Sequence, residues 1–75
     1  MDWKKKFRLD KAAFMTEIGE ETVLTAVNGC AARWYTDNAA VAAVDADGRV
    51  TAVGDGDAVI TAETENGETA VCTVW

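Results

Sequence analysis

The sequence predicts an all-β sandwich of about seven short strands in two sheets. Three observations carry this. Valine, threonine and isoleucine are dense and alternate with a period of two, as a half-buried strand requires. Gly, Asn and Asp break the alternation at intervals of roughly eight to twelve residues, the spacing of turns in sandwiches and barrels. No stretch sustains the 3.6-residue apolar repeat of an amphipathic helix.

Each strand follows from its own residues. Residues 6–10 place Phe7 and Leu9 on one face. Residues 14–18 alternate Phe14, Thr16 and Ile18 inward and stop at Gly19-Glu20. Residues 21–27 point Leu24 and Ala26 inward and end at Asn28-Gly29. Residues 31–36 centre on Trp34, and residues 41–44 form a short strand with Val41 and Val44. The turn Asp45-Ala46-Asp47-Gly48 leads into residues 49–53, which carry Val50. After Gly54-Asp55-Gly56, residues 57–63 hold Ala58, Ile60 and Ala62 on one face. Asn66-Gly67 leads into residues 68–75, where Ala70, Cys72 and Val74 share a face. The alanine-rich stretch 39–46 competes as a helix, since alanine is the best helix former. Bounded by Asn38 and the Asp45 turn, it has room for about two turns, too short to be stable alone.

Composition narrows the function. The chain has 75 residues, 49% apolar and 27% charged, one small domain's worth of globular sequence. It contains no His, Ser, Pro or Gln. Without His, the commonest acid–base group and metal ligand are missing, and neither a Ser–His–Asp triad nor a Cys–His pair can form. An enzyme is therefore not expected, and no cofactor is implied. No run of about 18 apolar residues is present, so no membrane insertion is expected. The opening Met1-Asp2-Trp3-Lys4-Lys5-Lys6 lacks the apolar segment of a secretory signal, so an exported protein would carry its signal outside this stretch.

The net charge of −6 is uneven. Lys4, Lys5, Lys6, Arg8 and Lys11 crowd the first 11 residues, and only Arg33 and Arg49 lie beyond. The acidic body would repel phosphate backbones, so nucleic-acid binding is not expected. Residues 1–5 read as a basic linker, or as residues added to the natural chain, ahead of a domain spanning 6–75.

From Trp34 onward the pattern becomes specific. The ordered set Trp34-Tyr35-Thr36-Asp37-Asn38-Ala39-Ala40-Val41-Ala42-Ala43-Val44-Asp45, Gly48-Arg49-Val50-Thr51-Ala52-Val53 and Gly56-Asp57-Ala58-Val59-Ile60-Thr61-Ala62 resembles the bacterial immunoglobulin-like domain, group 2. That family also occurs in the intimin and invasin class of surface adhesins and in phage virion proteins. The resemblance extends upstream through Leu24-Thr25-Ala26, Ile18-Gly19-Glu20 and Leu9-Asp10-Lys11, and downstream through Ala70-Val71-Cys72-Thr73-Val74. It implies an immunoglobulin-like sandwich. Two departures stand out: Tyr35 and Thr36 replace the serines that usually follow the tryptophan, and the stretch from Val27 to Trp34 is short. The shortened loop removes a surface on which such modules often build binding sites.

The residues expected in the core are Leu9, Phe14, Leu24, Trp34, Val41, Val44, Val50, Ile60, Cys72 and Val74. Trp34 is large enough to fill the roughly 10 Å between two sheets and is expected at the centre. Ala42, Ala52, Ala58 and Ala62 would let the sheets close around it, and Gly19 is expected where a side chain would clash or φ is positive. Cys30 and Cys72 are the only pair that could bridge, yet their placement does not match the usual inter-sheet disulfide, and Cys72 also reads as a small buried hydrophobe. Asp45, Asp47, Asp55 and Asp57 form two Asp-x-Asp pairs that could offer oxygen ligands to calcium, but turn chemistry alone explains them. Metal and catalytic residues are therefore read as none. Tyr35, opposite in phase to Trp34, is the candidate binding residue, and Trp3 and Trp75 are further aromatics.

The reading that follows is a non-catalytic spacer and interaction module of a larger bacterial surface, secreted or virion protein, monomeric in isolation. Its expected partners are neighbouring domains and, through exposed aromatics, a host-surface glycan or protein.

Overall fold

A computed structural model describes residues 7–75. Lys6, at the start of the first expected strand, lies outside the described residues, as do the expected linker 1–5 and Trp3. The strands in chain order are β1 (Arg8–Leu9), β2 (Ala13–Phe14), β3 (Glu21–Val23), β4 (Ala26–Val27), β5 (Arg33–Thr36), β6 (Ala42–Val44), β7 (Arg49–Ala52), β8 (Ala58–Glu63) and β9 (Thr69–Val74).

These nine segments are seven strands with two interruptions. The first strand is divided between sheets: β1 pairs antiparallel with β4, Leu9 opposite Ala26, whereas β2 runs parallel to β9, Phe14 opposite Val74. Asp10 fixes the crossing. Its backbone N–H donates to the Thr25 carbonyl at 3.0 Å, and its Oδ1 accepts from the Thr25 N–H at 3.0 Å. The second strand, expected as continuous over 21–27, changes partner at Leu24-Thr25: the Leu24 N–H donates to the Gly48 carbonyl at 2.8 Å, the last bond on the β7 side, and from Thr25 onward the pairing is with Asp10 and β1. Thr22, Leu24 and Ala26 still face the same way, so β3 and β4 continue one layer.

One layer therefore holds β1 with β4 and the run β3-β7-β6, and the other the run β2-β9-β8-β5. Counted as seven strands, the first, second, fifth and fourth face the third, sixth and seventh. That is the constant-type immunoglobulin arrangement. The alanine-rich stretch makes a single turn, with the Val41 and Ala42 N–H groups donating to the Asn38 carbonyl at 3.0 and 3.1 Å, and then becomes β6.

The core lies between the layers. Leu24, Ile60, Val50, Val74 and Cys72 are its largest fully buried side chains, joined by Phe7, Leu9, Val41 and Ala42. Fully burying side chains such as Leu24 and Ile60 stabilises the fold by roughly 1.5–3 kcal/mol each. Ala52, Ala58 and Ala62 are buried as well, leaving room for larger neighbours.

Three residues assigned to the core are only half-buried, although packed against it: Phe14, Trp34 and Val44. The reason is common to them. They sit on β2, β5 and β6, each with a strand on one side only. Trp34 thus closes a flank of the sandwich rather than occupying its centre. Ile18 departs further. Expected inward, it is 60% exposed, because pairing with the end of β9 stops at the Thr16 N–H bond to the Trp75 carbonyl, at 2.9 Å, and the chain then turns at Ile18-Gly19. Gly19 has φ of 95° with open space around it, so backbone conformation and not crowding requires glycine there.

Candidate functional site

Tyr35 faces outward on β5 and is 45% exposed. Its register partner on β8 is Thr61, which is opposite Val71 on β9, so the three form one row across the outer face of the four-stranded sheet. Val71 is itself exposed. The next row toward the 28–32 loop begins with Arg33 opposite Glu63, joined by an ion pair from Nε to Oε1 at 3.4 Å. The result is a flat face with one aromatic ring, one aliphatic neighbour and threonine hydroxyls, suited to contact rather than chemistry. Sequence reasoning singles out Tyr35 alone. Val71 was readable too, since Ala70, Cys72 and Val74 turned inward leave it outward.

The acidic turns are occupied by their own backbone. Asp45 Oδ1 accepts from the N–H groups of Asp47 and Arg49, both at 2.9 Å, and these bonds hold its carboxyl below the usual carboxylate range. This is the turn chemistry that delivers the chain into β7. Asp55 lies on the opposite end of the sandwich from Asp45 and Asp47, beside Gly54 and Gly56. Among the described residues no three His, Cys, Asp or Glu side chains are grouped to hold a metal ion.

Cys30 and Cys72 are separate free thiols. Cys30 is exposed in the 28–32 loop, while Cys72 is buried on β9 among the core residues. Burial, reinforced by the nearby Asp10 carboxylate, raises the Cys72 thiol pKa.

Two open grooves flank the poles of the sandwich. One, of about 440 Å³, lies between the 28–32 loop and the β8–β9 turn and is lined by residues including Cys30, Ala31, Glu65 and Asn66. The other, of about 400 Å³, lies at the opposite pole, between Glu17 and Ile18, Gly54 to Gly56, and Val74 and Trp75. Trp75 is 47% exposed there.

The family model described as "Intimin, immunoglobulin-like domain" matches residues 17–66, two thirds of the chain. The chain is a member of the intimin immunoglobulin-like domain family. It is thus a bacterial immunoglobulin-like domain of the intimin and invasin type, and the matched span runs from the turn before β3 to the turn after β8. Among solved structures it is similar to a C-terminal 282-residue fragment of intimin, crystallised in complex with the intimin-binding domain of the translocated intimin receptor. The TM-score is 0.73 at 23% identity, over 91% of this chain and 29% of the fragment. The likeness is of fold, and this immunoglobulin-like domain spans under a third of that fragment. No curated protein matches the chain significantly.

Proposed function

We propose that this intimin-type domain is a non-catalytic structural module of a larger bacterial surface protein, spacing and presenting the domains beside it. The observation that carries the reading is the path of the chain. Phe7 packs beneath Gly29 at one pole, and Trp75 lies beside the groove at the other. A module threaded this way transmits position along its length, and its mechanism is rigidity. Membership of the intimin immunoglobulin-like family supports the surface setting. The missing histidine and the open, shallow grooves support a role without bond chemistry. In this reading the domain comprises residues 6–75 and residues 1–5 are its basic lead-in.

A second reading is favoured by one observation, the Tyr35–Thr61–Val71 row. It is adhesion through that face to a polysaccharide or a host protein. The intimin fragment was solved with a protein receptor, which makes a protein ligand the first to try. Glycan arrays and receptor-ectodomain panels probed with the wild-type chain and Tyr35→Ala separate the two. The spacer reading expects no reproducible binding by either chain. Binding by the wild type that Tyr35→Ala abolishes replaces it with the adhesive reading.

A further inference from the structure

Seven large apolar side chains are exposed among the described residues, and four of them, Met15, Ile18, Val53 and Trp75, gather at the Trp75 pole. Ile18 and Trp75 line the groove there, over a floor that includes the buried Val41, Ala52 and Val74. Met15 lies on the adjoining wall with Thr16, Glu17 and Glu20, and Val53 is tied to the same pole by its N–H bond to the Val41 carbonyl at 2.9 Å.

The charges at this pole have one sign. Glu17 and Asp55 line the groove, with Asp57 following Gly56, and among the described residues no lysine or arginine lines it. Of the described cations, Lys11 pairs with Asp10, Arg33 with Glu63, and Arg49 with Glu21 and Asp45, while Arg8 lies on β1 opposite Val27, away from this groove. The complementary segment is in the sequence itself. Trp3-Lys4-Lys5-Lys6 places an aromatic ring directly before three consecutive positive charges, and it precedes Phe7 at the opposite pole.

We propose that the groove at the Trp75 pole receives the Trp3-Lys4-Lys5-Lys6 segment of a second copy of this chain, giving head-to-tail association. The Trp3 indole covers apolar surface between Ile18 and Trp75, and the lysines meet Glu17 and Asp55. The contact is heterologous, so it leaves one free groove and one free segment at the ends and propagates into open chains rather than closing as a symmetric dimer. The isolated module is expected to be a monomer; the match between the apolar, acidic Trp75 pole and the aromatic, basic Trp3-Lys4-Lys5-Lys6 sequence changes that expectation.

Sedimentation of the full chain at about 1 mM, where a contact with a millimolar dissociation constant is substantially populated, tests this. The expected result is mass above the monomer in about 20 mM salt, falling back toward the monomer by about 0.5 M salt as the charges are screened. Two full-length variants fix the surfaces. One carries Lys4→Glu, Lys5→Glu and Lys6→Glu, and the other Glu17→Lys and Asp55→Lys. Each alone is expected to lose association at least about tenfold, and an equimolar mixture to regain it, because reversed segment then meets reversed groove. A wild-type chain that stays monomeric in low salt overturns the proposal. So does a variant that associates as well as wild type, or a mixture that does not recover. None of these outcomes bears on the spacer reading, which stands or falls on ligand binding.

Discussion

The indole of Trp34 lies so close over Gly48 that a Cβ added at Gly48 would stand 2.7 Å from Cζ2 and 3.0 Å from Cη2 of the ring. The same Cβ would be 2.7 Å from the Leu24 carbonyl oxygen, which fixes the glycine from a second side. Trp34 belongs to one sheet and Gly48 to the turn feeding the other, so this contact ties the two layers together at their flank.

Gly48→Ala is therefore expected to destabilise strongly. The residue has φ of 84°, unfavourable for any side chain, and the methyl group has no space. Strain and overpacking together predict a loss of roughly 2–4 kcal/mol in urea denaturation. Trp34→Ala in the same chain removes the ring clash but not the backbone strain. The penalty for Gly48→Ala should then shrink by about 1 kcal/mol, read as the coupling in a double-mutant cycle.

The two thiols should behave as different groups. Cys30 is exposed and should react with a thiol reagent in the native state, whereas Cys72 is buried, with a raised pKa, and should react only on unfolding. Native labelling is expected to stop at one equivalent and reach two in denaturant. Cys72→Ser, which puts a hydroxyl among apolar neighbours, should cost about 1–3 kcal/mol, and Cys30→Ser less than about 0.5 kcal/mol.

Acid should loosen the crossing between the sheets. The Thr25 N–H bond to the Asp10 carboxylate, assisted by Lys11, holds the folded-state pKa of Asp10 below its ordinary value of 3.8. A depressed carboxylate stabilises the fold at pH above its unfolded value, and that stabilisation is lost as pH falls through the folded value. Unfolding free energy should therefore decline below about pH 4, with Asp45 contributing in the same direction. Asp10→Asn keeps an acceptor oxygen but not the charge and should flatten this decline. Asp10→Ala should lose about 1 kcal/mol at neutral pH.

Ile60 and Val71 should respond oppositely to truncation. Ile60 has no exposed surface, and Ile60→Ala is expected to cost about 2–5 kcal/mol. Val71 is 55% exposed on the outer row beside Thr61, and Val71→Ala should stay within about 0.5 kcal/mol. Thermal unfolding of both variants checks the inward and outward phase of the four-stranded sheet.

Much of the fold was legible because strand period and turn chemistry are local. The phase of Ala58, Ile60 and Ala62, and of Cys72 and Val74, follows from alternation alone, and all five are buried. The crossing at Asp10 and the change of partner at Leu24-Thr25 were not legible, because both are set by the hydrogen bonds between Asp10 and Thr25, residues distant in sequence. Half-burial of Trp34, Phe14 and Val44 escaped for a related reason: a residue's period says which face it takes, not whether its strand has a neighbour on both sides. At the candidate site, Tyr35 was readable from its phase. The apolar Trp75 pole was not, because residues 15–18, 52–56 and 74–75 meet only once the chain is folded.

A NOESY spectrum of the labelled chain is decisive for the sandwich closed by Trp34. Cross-peaks from the Trp34 Hζ2 and Hη2 protons to the Gly48 Hα protons are expected, since the ring and that backbone are in van der Waals contact. An assigned spectrum without them, in which the Trp34 ring protons show only intraresidue and sequential contacts, would contradict two sheets packed as described.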